Sequence, residues 1–352
     1  MTGHVMVGHV AHIRLGIDFG TSHSVAVLSR PDGRSEPLLF DGSPLLPSGV
    51  FVDANGAPIT GRYAERSART DPARYEPNPK RRIDDGTVLL GATELPVTAL
   101  IGYVLGRIAA EARRVAGADA TEVTLTHPAQ WGPQRRGTLT EAARLAGFGA
   151  VRLVPEPVAA ARYFTSVLGH RVAPGTAVVV YDFGGGTFDI AVVGHNPGGW
   201  QVVANDGLPD VGGVDLDLVV VDTVGSTLGR RDPALWDRLT HPRDAADRRQ
   251  HLMLFADARN AKEQLSGSTS STLYVPLFDT DAHVTREQFE QQAHGWLERT
   301  VSLTASTLYR TRLAPEQIAG IILVGGSSRI PLAAQRVRRR GRVVGAAMTG
   351  GR

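Results

Sequence analysis

The sequence lacks cysteine, and this absence excludes a group of chemistries. Without cysteine in its 352 residues the chain has no disulfide bond, no thiol nucleophile and no cysteine-based zinc site. The eleven histidines are scattered, and no two of them form a His-x-x-x-His pair, so we expect no metal cluster built on histidine. Disulfide scaffolds, thiol enzymes and zinc fingers are thereby excluded.

Long apolar segments are absent as well. No run approaches the roughly 20 residues that a helix needs to cross a bilayer, and residues 1–12 contain three histidines but no hydrophobic signal core. At 42% hydrophobic residues, the chain is long enough for two lobes, each with its own core. We therefore expect a globular protein with a flexible N-terminus over residues 1–12, no membrane partner and a cytoplasmic location.

Lysine is nearly absent, although basic residues are not. Of the 38 basic residues only Lys80 and Lys262 are lysine, and the others are arginine. Because an ammonium is a compact point charge and a guanidinium is a planar fork, a position that keeps lysine against this bias is a candidate for a site needing one close donor. The net charge is only +3, and much of the excess lies in residues 336–342, which lack aromatic residues. We expect no nucleic-acid partner.

The most informative feature that is present is a glycine-bearing hairpin that occurs twice. Asp182–Asp189 follows the apolar run 177–181, and the shorter Gly16–Ser22 follows a similar apolar segment. Each copy predicts a strand that ends in an acidic residue, a turn with glycine and hydroxyl groups, and a second strand, at residues 24–28 and 188–193. Because glycine permits positive φ and close backbone approach, successive N–H groups of such a turn can surround a phosphate.

The acidic residue before each turn suggests a metal ion. Asp18 and Asp182 cannot contact phosphate oxygens without repulsion, so their expected task is to hold a hydrated Mg²⁺ that the phosphates also bind. Two such hairpins facing each other would hold one metal-bound triphosphate from both sides. The alternative is a pair of ordinary hairpins whose glycines serve only the turns.

The rest of the chain predicts an α/β protein whose second half repeats the plan of its first half. Apolar spacing and punctuation predict helices at 98–117, 134–146, 158–168, 215–228, 251–265 and 287–310. Further strands are predicted at 122–126, 151–154, 200–204 and 318–324. The predicted domains after residue 12 are lobe I (13–173, with an insertion at about 39–97), lobe II (174–332, with an insertion at about 214–283) and an arginine-rich tail (333–352).

Four motifs occur in a fixed order along the chain, at Gly16–Ser22, Pro155–Ala161, Asp182–Asp189 and Leu323–Pro331. Together they resemble the signatures of the DnaK-type seventy-kilodalton heat-shock chaperones, a branch of the actin-like ATPase superfamily. The resemblance covers roughly residues 13–332. It implies an α/β fold of the actin-like ATPase (ribonuclease H-like) class, with two duplicated lobes that each carry an inserted subdomain. The implied activity is ATP binding with slow, Mg²⁺-dependent hydrolysis, of the kind a stress-response chaperone uses.

The resemblance also implies a role for each residue near the phosphates. Asp18 and Asp182 would bind the hydrated Mg²⁺, while Lys80 would reach the γ-phosphate and the attacking water. Glu156, in its Pro-Glu-Pro frame, would orient that water, and Thr187 would donate its hydroxyl to it. The implied catalytic residues are therefore Lys80, Glu156, Asp182 and Thr187. The backbone N–H groups that would hold the β- and γ-phosphates belong to Gly20, Thr21, Ser22, Gly184, Gly185, Gly186 and Thr187.

Two of these assignments leave an alternative open. Arg81 is the alternative to Lys80, because the two residues are neighbours in a basic run. Asp189 is either a structural carboxylate or a second-sphere one.

The adenosine side resembles the family less closely. Lys262 and Ser266 match the helix that contacts ribose and adenine, whereas Arg259 stands where a glutamate is usual and Glu263 where an arginine often stacks on the base. The remaining implied nucleotide contacts are Gly213 and, on the opposite wall, Gly325, Gly326, Ser327 and Arg329. In this arrangement Arg329 would stack on the base.

Beyond residue 332 the resemblance ends. The closing helix of the nucleotide lobe, the linker and the peptide-binding domain of the family have no counterpart in residues 333–352, so lower ATP affinity is expected. The implied ligands and partners are ATP or ADP, Mg²⁺, and a co-chaperone or nucleotide-exchange factor; we expect a monomer.

Three other hypotheses share this fold. A small-molecule kinase would need an aspartate base facing a hydroxyl substrate; no such motif stands out, and Lys80 argues against it. An actin-like filament ATPase would use the two insertions for protomer contacts. A truncated nucleotide-binding domain would keep the fold without the activity.

Overall fold

The computed structural model describes residues 12–339 and the backbone of residues 343–345. The N-terminal residues 1–11, for which flexibility is predicted, lie outside this range, as does most of the predicted tail beyond residue 339. Among the described residues, no helix is both long and apolar enough to span a bilayer.

Lobe I consists of a central sheet, a small insertion and the helices around them. Its strands are β1 (Arg14–Asp18), β2 (His23–Ser29), β3 (Ser35–Pro37), β4 (Leu46–Pro47), β5 (Val50–Val52), β6 (Pro58–Thr60), β7 (Tyr75–Glu76), β8 (Thr87–Leu90), β9 (Thr93–Pro96), β10 (Glu122–His127) and β11 (Val151–Pro155). Its helices are α1 (Arg62–Ala68), α2 (Val97–Ala116), α3 (Pro133–Leu145) and α4 (Glu156–Ser166). The predicted amphipathic helix at 98–117 is present as α2, and it ends where Gly117 takes a φ of 77°.

Lobe II has the same kind of central sheet with a larger helical insertion. Its strands are β12 (Ala177–Phe183), β13 (Phe188–Asn196), β14 (Gly199–Leu208), β15 (Ser270–Val275), β16 (Thr280–Thr285), β17 (Ile318–Val324) and β18 (Val343–Gly345). Its helices are α5 (Gly213–Arg231), α6 (Pro233–Thr240), α7 (Ala245–Gly267), α8 (Arg286–Thr311) and α9 (Pro331–Arg338).

The two central sheets have the same strand order, and in each of them the duplicated glycine hairpin occupies the same position. The order is β3-β2-β1-β10-β11 in lobe I and β14-β13-β12-β17-β18 in lobe II. In each lobe the glycine hairpin is antiparallel, and its first strand pairs in parallel with the strand that follows the insertion. Because parallel strands end at the same edge of a sheet, each hairpin turn lies beside the ends of the neighbouring parallel strands.

Helix α4 joins the two lobes. Its apolar side chains Val158, Ala161 and Phe164 pack against Val178 and Val180 on one face of the lobe II sheet. The other face of that sheet is covered by α5 and α8, so β12 is buried on both faces and reads as a continuous apolar run. The first residue of α4 is Glu156, which is thereby placed where the two lobes meet.

The insertion of lobe II departs from the predicted elements. Helix α6 and the first turn of α7 lie in residues 230–249, where weak periodicity predicts no helix. Both helices begin at an aspartate, and the side chains of Asp232 and Asp244 accept the backbone N–H groups of Leu235 and Asp247. The hairpin β15–β16 is also absent from the prediction, because its turn takes positive φ at Leu277 (67°) and Asp279 (46°) instead of at glycine.

Helix α9 extends into the segment assigned to the arginine-rich tail. Ala333 and Val337 are buried in the lobe II core, and the guanidinium of Arg336 lies 2.8 Å from the Glu298 carboxylate on α8. The part of this segment up to Arg338 therefore packs as part of lobe II.

Candidate functional site

The two glycine turns face each other across the cleft between the lobes. A Cβ atom on Gly185 would lie 2.6 Å from the Ser22 hydroxyl oxygen, and one on Gly186 would lie 2.7 Å from the Thr21 hydroxyl oxygen. A side chain at either glycine would therefore push the turns apart. The structure brings together the two halves of the predicted clamp.

The second turn is fastened to lobe II through its carbonyl groups. The Gly184 N–H donates to the Thr187 carbonyl (3.0 Å), which closes the turn. The Gly184 carbonyl accepts from the Gly213 N–H and from the Ser327 hydroxyl, both at 2.9 Å. Gly213 and Ser327 are both expected to contact the nucleotide. In the structure they contact the second glycine turn, which is the predicted phosphate turn of lobe II.

The first turn is fastened by a residue that the sequence does not single out. Ser48 donates its hydroxyl to the Gly20 carbonyl (2.8 Å) and its N–H to the Ser22 carbonyl (2.9 Å). Its hydroxyl also lies 2.9 Å from that of Ser24, and both serines are buried. Ser48 lies in the irregular insertion, and nothing in its local sequence distinguishes it from other loop serines.

Gly325, directly after β17, is required by its surroundings. Its φ is 84°, and a Cβ atom there would lie 2.7 Å from an Asp182 carboxylate oxygen. Any other residue would be strained and would displace Asp182.

Lys80 forms an ion pair with Glu156 below the turns. The ammonium lies 2.8 Å from the Glu156 carboxylate and 5.7 Å from the ring centre of Trp131. Burial alone would lower the pKa of Lys80, but the carboxylates of Glu156 and Asp18 raise it above its ordinary value. Lys80 therefore stays charged. Arg81 is exposed instead, and its guanidinium is directed to Asp215 at 3.9 Å.

Carboxylates outnumber cations around this ion pair. Burial raises the pKa of Glu156 to about 7 and that of Asp182 well above its usual range, and nearby carboxylates add to both shifts. Burial raises the pKa of Asp189 as well. Asp18 lies at the exposed end of β1, where its carboxylate accepts the Thr126 hydroxyl at 2.7 Å. A cation placed among these carboxyl groups would relieve their repulsion and favour their ionised forms.

This donor set fits a hydrated Mg²⁺ better than a directly bound metal. In residues 12–339 no group of three or more histidine, aspartate or glutamate side chains is arranged to bind an ion. Mg²⁺ commonly keeps several waters and uses one or two carboxylates together with substrate phosphates. Asp18 and Asp182, at the ends of the two hairpin strands, fit that mode.

Thr187 is already engaged by a neighbouring carboxylate. Its hydroxyl donates to Asp189 at 2.7 Å, and the other Asp189 oxygen accepts the Gln130 amide at 3.2 Å. A cavity of about 10 Å³, enough for about one water molecule, is bordered by Glu156, Asp182, Asp189 and Gln130. In this structure the Thr187 hydroxyl donates to Asp189, and the space for a water lies beside it.

Lys262, a predicted adenosine contact, is bound to the protein itself. The Lys262 ammonium lies 2.6 Å from the Asp217 carboxylate and donates to the Gly213 carbonyl at 2.8 Å. Arg259, the residue that departs from the family pattern, approaches the same buried carboxylate at 3.5 Å. Lys262 thus braces the start of α5 beneath the second turn. Sequence reasoning did not identify Asp217, which lies within an apolar helix face.

The remaining predicted adenosine residues lie on α7 and in the turn after β17. Ser266 is half-buried on α7, and Gly326 and Arg329 are exposed after β17. Glu263 is also exposed. Within residues 12–339, neither Ser266 nor Arg329 hydrogen-bonds the phosphate turns.

The sequence matches the family model described as Hsp70 protein over residues 87–342, which is more than two thirds of the chain. The matched segment contains Glu156, the second hairpin and the turn after β17. The first hairpin and Lys80 precede it and are joined to it by the contacts described above. The predicted actin-like ATPase fold is thereby confirmed, and a chaperone-type nucleotide-binding domain is supported. The chain belongs to the Hsp70 family.

Proposed function

We propose that this protein binds Mg·ATP between its two lobes and hydrolyses it slowly. The observation that carries the proposal is the Lys80–Glu156 ion pair beneath two facing glycine turns, with Asp18 and Asp182 beside it. An ammonium, a water-orienting carboxylate and two metal-binding carboxylates are the parts that phosphoryl transfer to water requires.

Each residue of the site has a physical task in this proposal. The N–H groups of the two turns bind phosphate oxygens, and the Lys80 ammonium neutralises charge on the terminal phosphate. The Glu156 carboxylate accepts a hydrogen bond from a water in the adjoining cavity and orients it. The first turn, held by Ser48, and the second turn, held by Gly213 and Ser327, keep the N–H groups in place.

Asp18 and Asp182 would hold Mg²⁺ through water, and the ion would supply neutralisation of phosphate charge. The chain itself contributes the excess of carboxylate that attracts the ion. Lys80 limits that excess, because its ammonium compensates part of the charge of Glu156 and Asp18.

The proposal is tested by measuring Mg·ATP binding by calorimetry and turnover by phosphate release. We expect Lys80→Ala and Glu156→Ala to lower turnover by about 100-fold while largely sparing binding, because both side chains act on the reacting phosphate and water.

Arg81→Ala is the matched control. It removes a basic residue from the same short turn, but one directed to Asp215, so turnover should stay close to that of the unaltered protein. A loss of turnover in Arg81→Ala and not in Lys80→Ala would assign the role to Arg81. No detectable binding of Mg·ATP by the unaltered protein would refute the proposal and favour a nucleotide-binding fold without activity.

The other implications of the family stay predictions. They comprise a stress-response role, a cytoplasmic location, a monomeric state and a co-chaperone or nucleotide-exchange factor as partner.

A further inference from the structure

Gln130 makes a contact between the lobes directly beside the carboxylate cluster. It lies in the loop after β10 of lobe I, and its side-chain amide donates to Asp189 on β13 of lobe II at 3.2 Å. Asp189 accepts the Thr187 hydroxyl through its other oxygen at 2.7 Å. The three side chains form one chain of hydrogen bonds that ends at the second phosphate turn.

A glycine on the neighbouring strand makes room for this contact. Gly207 on β14 pairs with Asp189, and a Cβ atom at Gly207 would clash with the Gln130 amide and lie 2.9 Å from the Asp189 carboxylate. Gly207 lies in a strand and does not have positive φ, so its backbone conformation does not require glycine. A side chain there is excluded by the Gln130 amide and also by the Asp189 carboxylate and the Phe188 carbonyl, which would lie 3.0 Å from the added Cβ atom.

The loop that carries Gln130 also touches the other half of the site. Trp131, the next residue, places its ring 5.7 Å from the Lys80 ammonium, and its N–H donates to the Pro128 carbonyl at 3.0 Å. One short loop of lobe I thus contacts the catalytic lysine on one side and the phosphate turn of lobe II on the other.

We propose that Gln130 is a positioning residue that holds Asp189, and through it Thr187, so that the second phosphate turn keeps the shape needed for hydrolysis. This inference rests on the proposed function for its effect on turnover. Its effect on the turn itself is independent of ATP. The Gly184 N–H donates to the Thr187 carbonyl, so release of Thr187 loosens the turn.

The test measures two quantities for Gln130→Ala and Gly207→Ala. Hydrogen exchange of the Gly184 amide in nucleotide-free protein should accelerate about 10-fold in both variants, and kcat should fall about 10-fold with little change in nucleotide affinity, because a hydrogen bond to a charged group is lost. Gln130→Met, which has a similar length but neither a donor nor a charge, should behave like Gln130→Ala.

Gln134→Ala and Gly198→Ala are the controls, because Gln134 is exposed on α3 and a Cβ atom at Gly198 has no neighbour within 4 Å. Unchanged exchange at Gly184 in Gln130→Ala and Gln130→Met would overturn the inference. If the unaltered protein does not hydrolyse ATP, the proposed function fails, and the exchange data alone decide the inference. If Gly207→Ala does not fold, the two Gln130 variants decide it.

Discussion

The ionisation of the Glu156 carboxylate is favoured by one neighbour and opposed by its other surroundings. Its ion pair with Lys80 favours the ionised carboxylate, whereas burial and the nearby Asp18 and Asp189 carboxylates disfavour it. Burial is the largest of these effects, and it raises the pKa of Glu156 from 4.5 to about 7. The buried charge is therefore a cost to folding in the absence of a metal ion.

This balance predicts a pH-dependent effect of Glu156→Gln on stability in metal-free buffer. Between pH 4.5 and 7 the folded state binds more protons than the unfolded state, so the contribution of Glu156 to the free energy of unfolding falls as the pH rises through this window. Glutamine keeps the size without the charge. We expect Glu156→Gln to be more stable than the unaltered protein by about 1–3 kcal/mol at pH 8, with the difference falling below about 1 kcal/mol at pH 5.

Urea denaturation at the two pH values, with a chelator present, measures this difference. The comparison between the two proteins cancels the contribution of Asp189, whose raised pKa does not depend on Glu156. Part of the rise in the pKa of Asp182 comes from the Glu156 charge, so the measured difference includes the relief of that repulsion. A difference that does not depend on pH, or a variant that is less stable at pH 8 than the unaltered protein, would show that the ion pair outweighs burial.

At the residue scale, the sequence identified side chains with an unusual type or a repeated setting. Lys80 is predictable because lysine is rare in this chain, and Asp18 and Asp182 are predictable because they precede matched turns. Ser48 and Gln130 are not predictable, because their roles depend on a partner that is distant in sequence. A loop serine and a loop glutamine have no local signal for such contacts.

At the scale of elements, the packing of α8 on the lobe II sheet includes one buried polar contact. The Tyr181 hydroxyl on β12 lies 2.6 Å from the Thr300 hydroxyl on α8, and neither residue is exposed. Thr300 donates in turn to the Leu297 carbonyl at 2.7 Å, so it accepts the Tyr181 proton. The contact thus ties the longest helix to the strand that leads into the second phosphate turn.

This geometry predicts unequal costs for removing the two partners. Thr300→Val leaves the Tyr181 hydroxyl buried without an acceptor and should lower the free energy of unfolding by about 2–3 kcal/mol. Tyr181→Phe leaves only an acceptor unfilled and should cost about 1 kcal/mol. The double variant should be less destabilised than the sum of the two.

Urea denaturation of the four proteins gives the coupling energy. Thr304→Val is the control, because the Thr304 hydroxyl bonds only the Thr300 carbonyl within α8 (2.8 Å). Additive effects of Tyr181→Phe and Thr300→Val would contradict a shared hydrogen bond.

Elements with strong periodicity were predictable, and elements set by caps or tertiary packing were not. Helix α2 and strand β12 follow from apolar spacing and from a buried run, respectively. Helix α6 and the start of α7 depend on aspartate caps in a charged segment, which the periodicity does not reveal. The turn between β15 and β16 lacks the glycine that usually indicates a hairpin turn in a sequence.

At the scale of the whole molecule, the lobes meet at several places around the cleft. Helix α4 packs on the lobe II sheet at the base, and the two glycine turns meet in the middle. At the outer end Arg249 on α7 donates to the Thr70 carbonyl at 3.4 Å. The sequence predicts the two lobes and the facing turns from the repeated hairpin, but not the packing of α4 or the Arg249–Thr70 contact, since these join residues from opposite halves of the chain that share no motif.

The middle contact predicts that a single methyl group will open the cleft. Gly186→Ala would place its Cβ atom 2.7 Å from the Thr21 hydroxyl oxygen and closer still to the Thr21 methyl carbon. Overpacking of this kind costs about 1–3 kcal/mol. We expect Gly186→Ala to increase the radius of gyration of the nucleotide-free protein in small-angle scattering and to weaken Mg·ATP binding by about 10-fold, while each lobe stays folded.

The second-site variant Thr21→Ala tests whether the clash itself is responsible. It removes both of the closest atoms and leaves the Thr21 Cβ atom 3.1 Å from the added methyl group. The double variant Thr21→Ala/Gly186→Ala should therefore regain the compact form, even if the loss of the Thr21 hydroxyl lowers nucleotide affinity. An unchanged radius of gyration in Gly186→Ala would mean that the turn adapts locally, and expansion that persists in the double variant would mean that another contact keeps the lobes apart. Compactness and affinity report different properties here, because the first depends on the fit between the two turns and the second also depends on their hydrogen-bond donors.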